Sequence, residues 1–336
     1  MSELMLSTLG EQYAIDTLEG LPWHALGQSV VGASSISEAL SMARLDYLVE
    51  KRPIFYPIYG EDGSIIEQPR IPNRYATVNT RNNGVLGIVK DRYIVRQNGE
   101  SFAALEPLVE AGMMVLDLAG PLGENGERVW ILARIGSPYD VVINDTVLTY
   151  LLLVNSHKEN QALKMMAVPI RVVRANMGRV PAEIRRSAHA LNIRHIGSIE
   201  AQTAKANTVV RLVLENHKKF YNIAGLLAKS GINRNTVYTL LDVVFPSLGA
   251  SEIGEKPRAE HDAAKIVELL DSEPIAKARG TAWSLYNAVT AYVDHYRSTR
   301  GRSTNNRLHN RLNSIWFGDG SRIKDAAMDY LLKNMK

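Results

Sequence analysis

The close succession of β-rich segments and turns in the first half of the chain limits the fold more than any other feature. Ile54-Phe55-Tyr56-Pro57-Ile58-Tyr59 is aromatic and β-branched, and the turn cluster Gly60-Glu61-Asp62-Gly63 ends it. Segments 75–80 and 85–90 follow, joined by Arg81-Asn82-Asn83-Gly84, whose Asn-Gly pair supplies the positive φ of a tight hairpin. Asp91-Arg92 then turns the chain into Tyr93-Ile94-Val95. Further strands are predicted over 113–118, 129–135, 147–154 and 162–173, with Gly120-Pro121-Leu122-Gly123-Glu124-Asn125-Gly126 read as a turn. Connections this short exclude parallel crossovers, which need a dozen or more residues, so antiparallel pairing is predicted. One helix interrupts the strands: Phe102, Leu105, Leu108 and Val109 recur at helical spacing, and Gly112 is placed to stop it.

The second half reads as helix. Helical segments are predicted over 181–193, 198–227, 233–244, 260–270, 281–297, 306–316 and 321–334, with Asn233 and Asp319 at or near N-caps. The stretch from Pro246 to Pro257 is poor in large apolar residues and is the best boundary in the chain. The expectation is an α+β fold. Residues 1–245 would form an α+β core with a mainly antiparallel sheet followed by basic helices, and residues 258–336 a C-terminal helical region.

With 46% hydrophobic residues the chain can bury a core, and with no cysteine it can form neither a disulfide nor a thiolate site. Met1 to Gly20 lacks the basic start and apolar run of a signal peptide, and no apolar stretch reaches the 18–20 residues or so of a transmembrane helix. A cytoplasmic protein away from membranes is expected. The net charge of +4 hides a division. Residues 1–160 hold 12 Lys+Arg and 20 Asp+Glu, net −8, whereas residues 161–336 hold 27 and 15, net +12. Such asymmetry points to a polyanionic partner for the second half.

Enzyme signatures are missing. There is no G-x-x-x-x-G-K-[ST], no G-x-G-x-x-G after a strand, no H-E-x-x-H and no G-x-S-x-G. Asp140, Asp145, Glu159 and His157 flank two strands and are the only candidates for a metal-dependent nuclease, a reaction that needs carboxylates converging on an ion. Asn155-Ser156-His157 reads more simply as a turn cap. No catalytic residue, cofactor, metal or nucleotide is expected.

The cations carry more information. Between Arg171 and His195 stand Arg171, Arg174, Arg179, Arg185, Arg186 and Arg194 with His189 and His195, against one acid, Glu183. In the helix predicted after Pro181, Ile184, Ala188 and Leu191 make an apolar stripe, and Arg185 and His189 make a second one about a quarter turn away. Arginine predominates, and its planar fork suits phosphate oxygens. If the strand at 162–173 extends to Arg174, the side chains of Arg171 and Arg174 face opposite ways, so only one joins a given patch. Lys164 and Arg171 would extend the track onto the sheet. A second cluster comprises Arg297, Arg300, Arg302, Arg307 and Arg311 with His309, and no acid occurs between Asp294 and Asp319. Residues 298–306 read as an exposed basic loop of the kind that follows a phosphate backbone. Tyr150, Tyr221 and Tyr238 are possible stacking platforms. Tyr286, Val289, Val293 and Tyr296 look like a core stripe, and the polar stripe Trp283, Asn287, Thr290 and Asp294 on the same helix reads as a hydrogen-bonded interface.

Several blocks together resemble the phage/plasmid-like protein family of unknown function. They are Pro22-Trp23-His24-Ala25-Leu26-Gly27, Gly87-Ile88-Val89-Lys90-Asp91-Arg92-Tyr93, Leu151-Leu152-Leu153-Val154-Asn155-Ser156-His157, Pro169-Ile170-Arg171-Val172-Val173, Ile193-Arg194-His195, Thr281-Ala282-Trp283, Ala291-Tyr292-Val293-Asp294-His295 and Ser314-Ile315-Trp316-Phe317-Gly318. The blocks run in order over nearly the whole chain. Arg174 departs from the pattern, which has a small residue or Cys there. The resemblance implies a protein of prophages, plasmids or phages and supplies no site residues.

Charge and missing motifs together predict an ATP-independent single-stranded DNA-binding protein of a mobile element, acting in recombination by single-strand annealing. Such proteins need neither nucleotide nor metal, and they commonly work as homo-oligomeric rings or filaments. The DNA-binding residues would be Lys164, Arg171, Arg174, Arg179, Arg185, Arg186, His189, Arg194, His195, Arg297, Arg300 and Arg302. Two alternatives stand beside this expectation. One is a mobile-element interaction protein, an antirestriction or host-takeover factor, and the other is the metal-dependent nuclease.

Overall fold

The strands of the first half pair as their short connections require. A computed structural model describes residues 26–158, 163–179, 199–246 and 256–335. In chain order the strands are β1 (Gln28–Ser29), β2 (Val49–Phe55), β3 (Ile58–Tyr59), β4 (Ile65–Glu67), β5 (Arg70–Asn79), β6 (Val85–Lys90), β7 (Met114–Leu122), β8 (Arg128–Ile135), β9 (Tyr139–Asp140), β10 (Thr146–Ser156), β11 (Lys164–Arg171) and β12 (Asn176–Met177). The helices are α1 (Ile36–Met42), α2 (Asn98–Phe102), α3 (Glu106–Glu110), α4 (Ile199–Lys229), α5 (Arg234–Val244), α6 (Lys256–Asp271), α7 (Ala282–Ala291), α8 (Thr304–Phe317) and α9 (Asp319–Asn334). The fold is α+β, with antiparallel sheets in the first half and helices in the second.

The main sheet runs in the order β1-β7-β8-β10-β11-β12, with β9 on β10, and every pairing is antiparallel. Its central strands are covered on both faces. On β8, Trp130 and Leu132 enter one core, while Val129, Ile131, Ala133 and Ile135 enter the other. On β10, Leu148, Tyr150, Leu152 and Val154 share the first core, and Leu151 and Leu153 lie in the second. Side chains alternate along a strand, so burial on both faces demands an unbroken apolar run. That is why 147–154 is so apolar; among the described residues no helix is long and apolar enough to cross a membrane.

The first core joins the sheet to α4 through Phe220, Ala224 and Leu227, and continues into α5, α6, α7, α8 and α9. The second core lies under α1, α2 and α3. Asn233 caps α5, accepting from Thr236 N at 2.9 Å, and Thr281 caps α7.

Several local expectations are corrected. Gly120 and Pro121 belong to β7, paired with Trp130 and Val129. Gly120 serves close approach here and makes no turn, since a Cβ would sit 2.4 Å from the Leu26 carbonyl and 2.7 Å from the Trp130 ring. Pro121 is tolerated because β1 pairs β7 only through Leu118 and Ala119. Residues 93–95 form no strand. Residues 54–59 divide at Tyr56-Pro57 into two strands. Tyr296 leaves the core and is 51% exposed, because α7 ends in a wide π turn, Tyr292–Tyr296, closed by Arg297 N on Tyr292 O at 2.8 Å.

Candidate functional site

The two basic clusters have opposite fates. In the first, the described arginines, Arg171, Arg174 and Arg179, turn inward. Arg171, at the end of β11, is buried, and its guanidinium donates to Asp145 at 2.5 and 2.8 Å and to Glu273 at 3.0 and 2.8 Å. The Trp283 indole N–H donates to the same Asp145 carboxylate at 2.8 Å. Burial alone would lower the Arg171 pKa, but the bonds to Glu273 and Asp145 outweigh it and the net direction is upward. This arginine cannot reach a strand of DNA.

Arg174 is corrected with it. The strand stops at Arg171, and a 3-10 turn, Val172–Arg174, closes on Ala175 in the left-handed region at φ 48°. The turn brings Arg174 back to the same acid, with Nε 3.7 Å from Glu273 and Nη2 donating to Leu269 O at 2.7 Å. Arg179 is likewise held by Asp325, at 3.2 Å, and by the Trp316 carbonyl. Lys164 stays at the surface, its ammonium 5.0 Å from the centre of the Phe317 ring and Arg128 5.5 Å from the same ring. Burial first, then Arg128, lowers its pKa. Arg185, Arg186, His189, Arg194 and His195 lie outside the described residues.

The polar stripe of α7 explains the first cluster. Trp283 meets Asp145, Asn287 and Thr290 both accept from Asn176 Nδ2, and Asp294 accepts from Met177 N at 2.7 Å and pairs with Lys324. These side chains dock α7 and α9 onto the last strands of the sheet. Lys324 is fully buried and its pKa is lowered by that burial. These bonds satisfy most of the buried polar groups in place, and Asn176 Oδ1 is left without a hydrogen-bond partner.

The second cluster opens to solvent. A cleft of about 870 Å³ lies between the end of α5, the start of α6, the 297–300 loop, α8 and the start of α9. Four arginines line it, Arg258, Arg297, Arg300 and Arg322, against two acids, Asp262 and Asp319, a lining charge of +2. Arg258 Nη2 donates to Ser298 Oγ at 2.8 Å and Arg297 Nη1 to Ser314 Oγ at 3.1 Å. Arg322 pairs with Asp319. Among the described residues, no carboxylate pairs with Arg258, Arg297 or Arg300.

The loop is built rigidly enough to present these groups. The Arg300 carbonyl accepts from Asn310 Nδ2 at 2.8 Å, and Thr299 Oγ1 donates to Arg307 O at 3.2 Å. Gly301 passes so close to α8 that a Cβ would lie 2.7 Å from Arg307 N. Arg311 works from beneath, donating to the carbonyls of His295 at 2.7 Å and Arg297 at 3.2 Å and so closing the π turn. His309 is also structural: its Nδ1 accepts from Gly123 N at 3.1 Å. Arg302 and Arg307 are exposed on the loop and the first turn of α8.

Arg297 and Arg300 therefore stand where a basic site was expected, whereas Arg258 and Arg322 were missed. A signal existed for both. Each lies in the first turn of a helix, where the macrodipole disfavours a cation and an acid is the usual choice.

Among the described residues the metal-site candidates do not converge. Asp145 is committed to Arg171, Asp140 accepts from the Thr146 hydroxyl at 2.7 Å, and His157 bonds Asn98. Asp145 and His157 flank opposite ends of β10, up to roughly 40 Å apart at about 3.3 Å per residue. Glu159 lies outside the described residues, and no three candidate ligands converge among those described. Of the three tyrosines offered for stacking, Tyr150 is buried with its hydroxyl on Asp117 at 2.6 Å, while Tyr221 and Tyr238 are exposed at 44% and 57%.

The fold is thus an α+β sheet protein with an arginine-lined cleft among its C-terminal helices. Residues 85–316 match the model of a family described as a domain of unknown function (DUF932), and the chain belongs to that family. No curated protein and no solved structure matches it. The matched span contains β6 to β12, the central helices and three of the four cleft arginines; it leaves out β2 to β5 and α9.

Proposed function

We propose that the protein is an ATP-independent single-stranded DNA-binding protein of a mobile element, acting in recombination by strand annealing and working as a homo-oligomer. The observation that carries this reading is the cleft, in which Arg258 and Arg297 bond the Ser298 and Ser314 hydroxyls and, among the described residues, neither they nor Arg300 pair with a carboxylate. Guanidinium groups in that state offer bidentate donors to phosphate oxygens. The hydroxyls of Ser298 and Thr299 lie beside them. A volume of about 870 Å³ falls within the roughly 300–1,000 Å³ of typical ligand clefts. A strand held by its phosphates keeps its bases free to pair, which is what annealing demands.

The test is the salt dependence of binding to a labelled oligothymidylate. Log affinity should fall with log salt at a slope near −0.7 for each phosphate neutralised. In Arg258→Gln with Arg300→Gln the slope should become shallower by about 1.4, with affinity at low salt down at least about tenfold. A folded double variant that binds with the parent's affinity and slope removes the cleft from consideration.

A further inference from the structure

The outer parts of β2 and β5, together with β3 and β4, form an arm whose residues are not buried. From Arg52 to Arg74 no residue is buried. The outer part is the β3–β4 hairpin, which pairs with no other strand among the described residues. It carries Phe55 (52% exposed), Tyr56, Ile58, Tyr59 (62%), Ile65 and Ile66 (69%) in water. Tyr59 pairs with Ile65 on one face of the hairpin, and Ile58 with Glu67 on the other, so apolar groups stand on both faces. An isolated two-stranded hairpin is marginal in water, and a monomer rarely exposes so continuous an apolar patch. Folding back onto its own body would cover only one face.

Charge selects the occupant. The outer segment 57–68 contains Glu61, Asp62 and Glu67 and no Lys or Arg. The stem contains Lys51, Arg52, Arg70 and Arg74 against the single acid Glu50, which pairs with Arg52 at 2.8 Å, and remains basic. Arg70 and Arg74 are exposed, with Arg70 against the Tyr75 ring and hydroxyl. An arm acidic at its tip, apolar in its middle and basic at its stem is complementary to itself when reversed. Two such arms laid antiparallel place each tip against the other's stem, with the apolar segments between them; a parallel arrangement sets like charges together. A two-fold contact has this reversed geometry. The acidic tip disfavours a phosphate backbone and an anionic membrane surface alike. The 23 residues from Arg52 to Arg74 also match the 20–30 or so that each partner contributes to a standard interface.

We infer that the 52–74 arm is a dimerisation device whose partner is the same arm of a second copy of this chain, joined antiparallel about a two-fold axis. The inference is independent of the cleft and of DNA.

Sedimentation velocity from about 1 to 100 μM tests it. The parent should sediment at twice the chain mass. Tyr59→Ser with Ile66→Ser should weaken association by at least about tenfold, each buried apolar side chain contributing more than the roughly 1.4 kcal/mol of a tenfold change. Glu61→Lys with Glu67→Lys, and separately Arg70→Glu with Arg74→Glu, should each weaken it too. All four charge reversals in one chain should restore it, because both ends of the contact then change sign together. Asp62 is left in place, since it accepts from Ser64 N and Oγ and shapes the tip. A parent that stays monomeric at 100 μM, charge variants as dimeric as the parent, or a four-fold variant as weak as the two halves overturns the inference. The oligothymidylate salt slope, measured on the arm variants, reads the cleft separately.

Discussion

Arg171→Met should lower the unfolding free energy by about 3–5 kcal/mol, a third or more of the stability of an ordinary domain. The guanidinium at the end of β11 is 2% exposed and is the shared partner of two carboxylates, Asp145 and Glu273, which are themselves 0% and 1% exposed. Methionine roughly fills the space but leaves two buried anions facing each other. The Trp283 indole on Asp145 and Ile275 N on Glu273 still provide hydrogen bonds, but Arg174, with Nε 3.7 Å from Glu273, is then the one cation left beside the pair among the described residues. Each carboxylate must then take up a proton or draw in water, and both alternatives cost free energy. Urea unfolding at pH 7 measures the effect as a lower midpoint at an unchanged slope. Adding Asp145→Asn and Glu273→Gln should recover part of the loss, since it removes the charges that the arginine had balanced. A loss below about 1 kcal/mol for the single variant would mean that the site is wet and the triad contributes little.

Acid should destabilise the protein well above the carboxylate range, and His157 is the main reason. The imidazole closes the end of β10 at 1% exposure, with Nε2 2.9 Å from Asn98 Oδ1. Asn98 donates through Nδ2 to Leu45 O, and its Oδ1 also accepts from Asn155, so Oδ1 is the acceptor and Nε2 carries the proton. Burial pushes the His157 pKa down from 6.5 to about 4. The unfolded chain therefore binds a proton near pH 6.5 that the native state refuses until about pH 4. Stability from this group is complete above 6.5 and drains away as the pH falls towards 4. At pH 4.5 about 2–3 kcal/mol should be gone, at about 1.4 kcal/mol per unit. His217, His295 and His309 are also shifted downward, chiefly by burial, and act in the same direction. In His157→Gln the difference in urea midpoint between pH 7 and 4.5 should shrink by about that amount. If it stays as large as in the parent, another group sets the acid limit.

The sequence exposes the skeleton of the fold because its signals are local. The Asn83-Gly84 hairpin, the Asn233 cap and the alternation on β8 and β10 depend on neighbours within a few positions. The polar stripe of α7 was legible as an interface, but its partners were not. Asp145, Asn176 and Lys324 lie between 30 and 147 residues from the groups they satisfy, and nothing in a one-dimensional pattern joins them. The same limit governs the cations. Arg171 and Arg300 are the same residue in similarly basic surroundings, yet two distant acids take one of them into the core and leave the other in solvent. An acid-poor run shows that cations are many; only the tertiary pairing shows which are spent.

The π turn between α7 and the basic loop has one more consequence. A residue in a helix advances the chain by about 100° around the axis, and the five-residue turn at Tyr292–Tyr296 holds one residue more than an α-turn. Deleting a single position there would restore an ordinary helix and rotate everything that follows, carrying Arg297 and Arg300 out of register with Arg258. The direction in which the cleft opens is thus written in the number of residues and not in their identity. Substitution of the exposed Tyr296 would leave it standing, whereas a deletion of one codon would dismantle it.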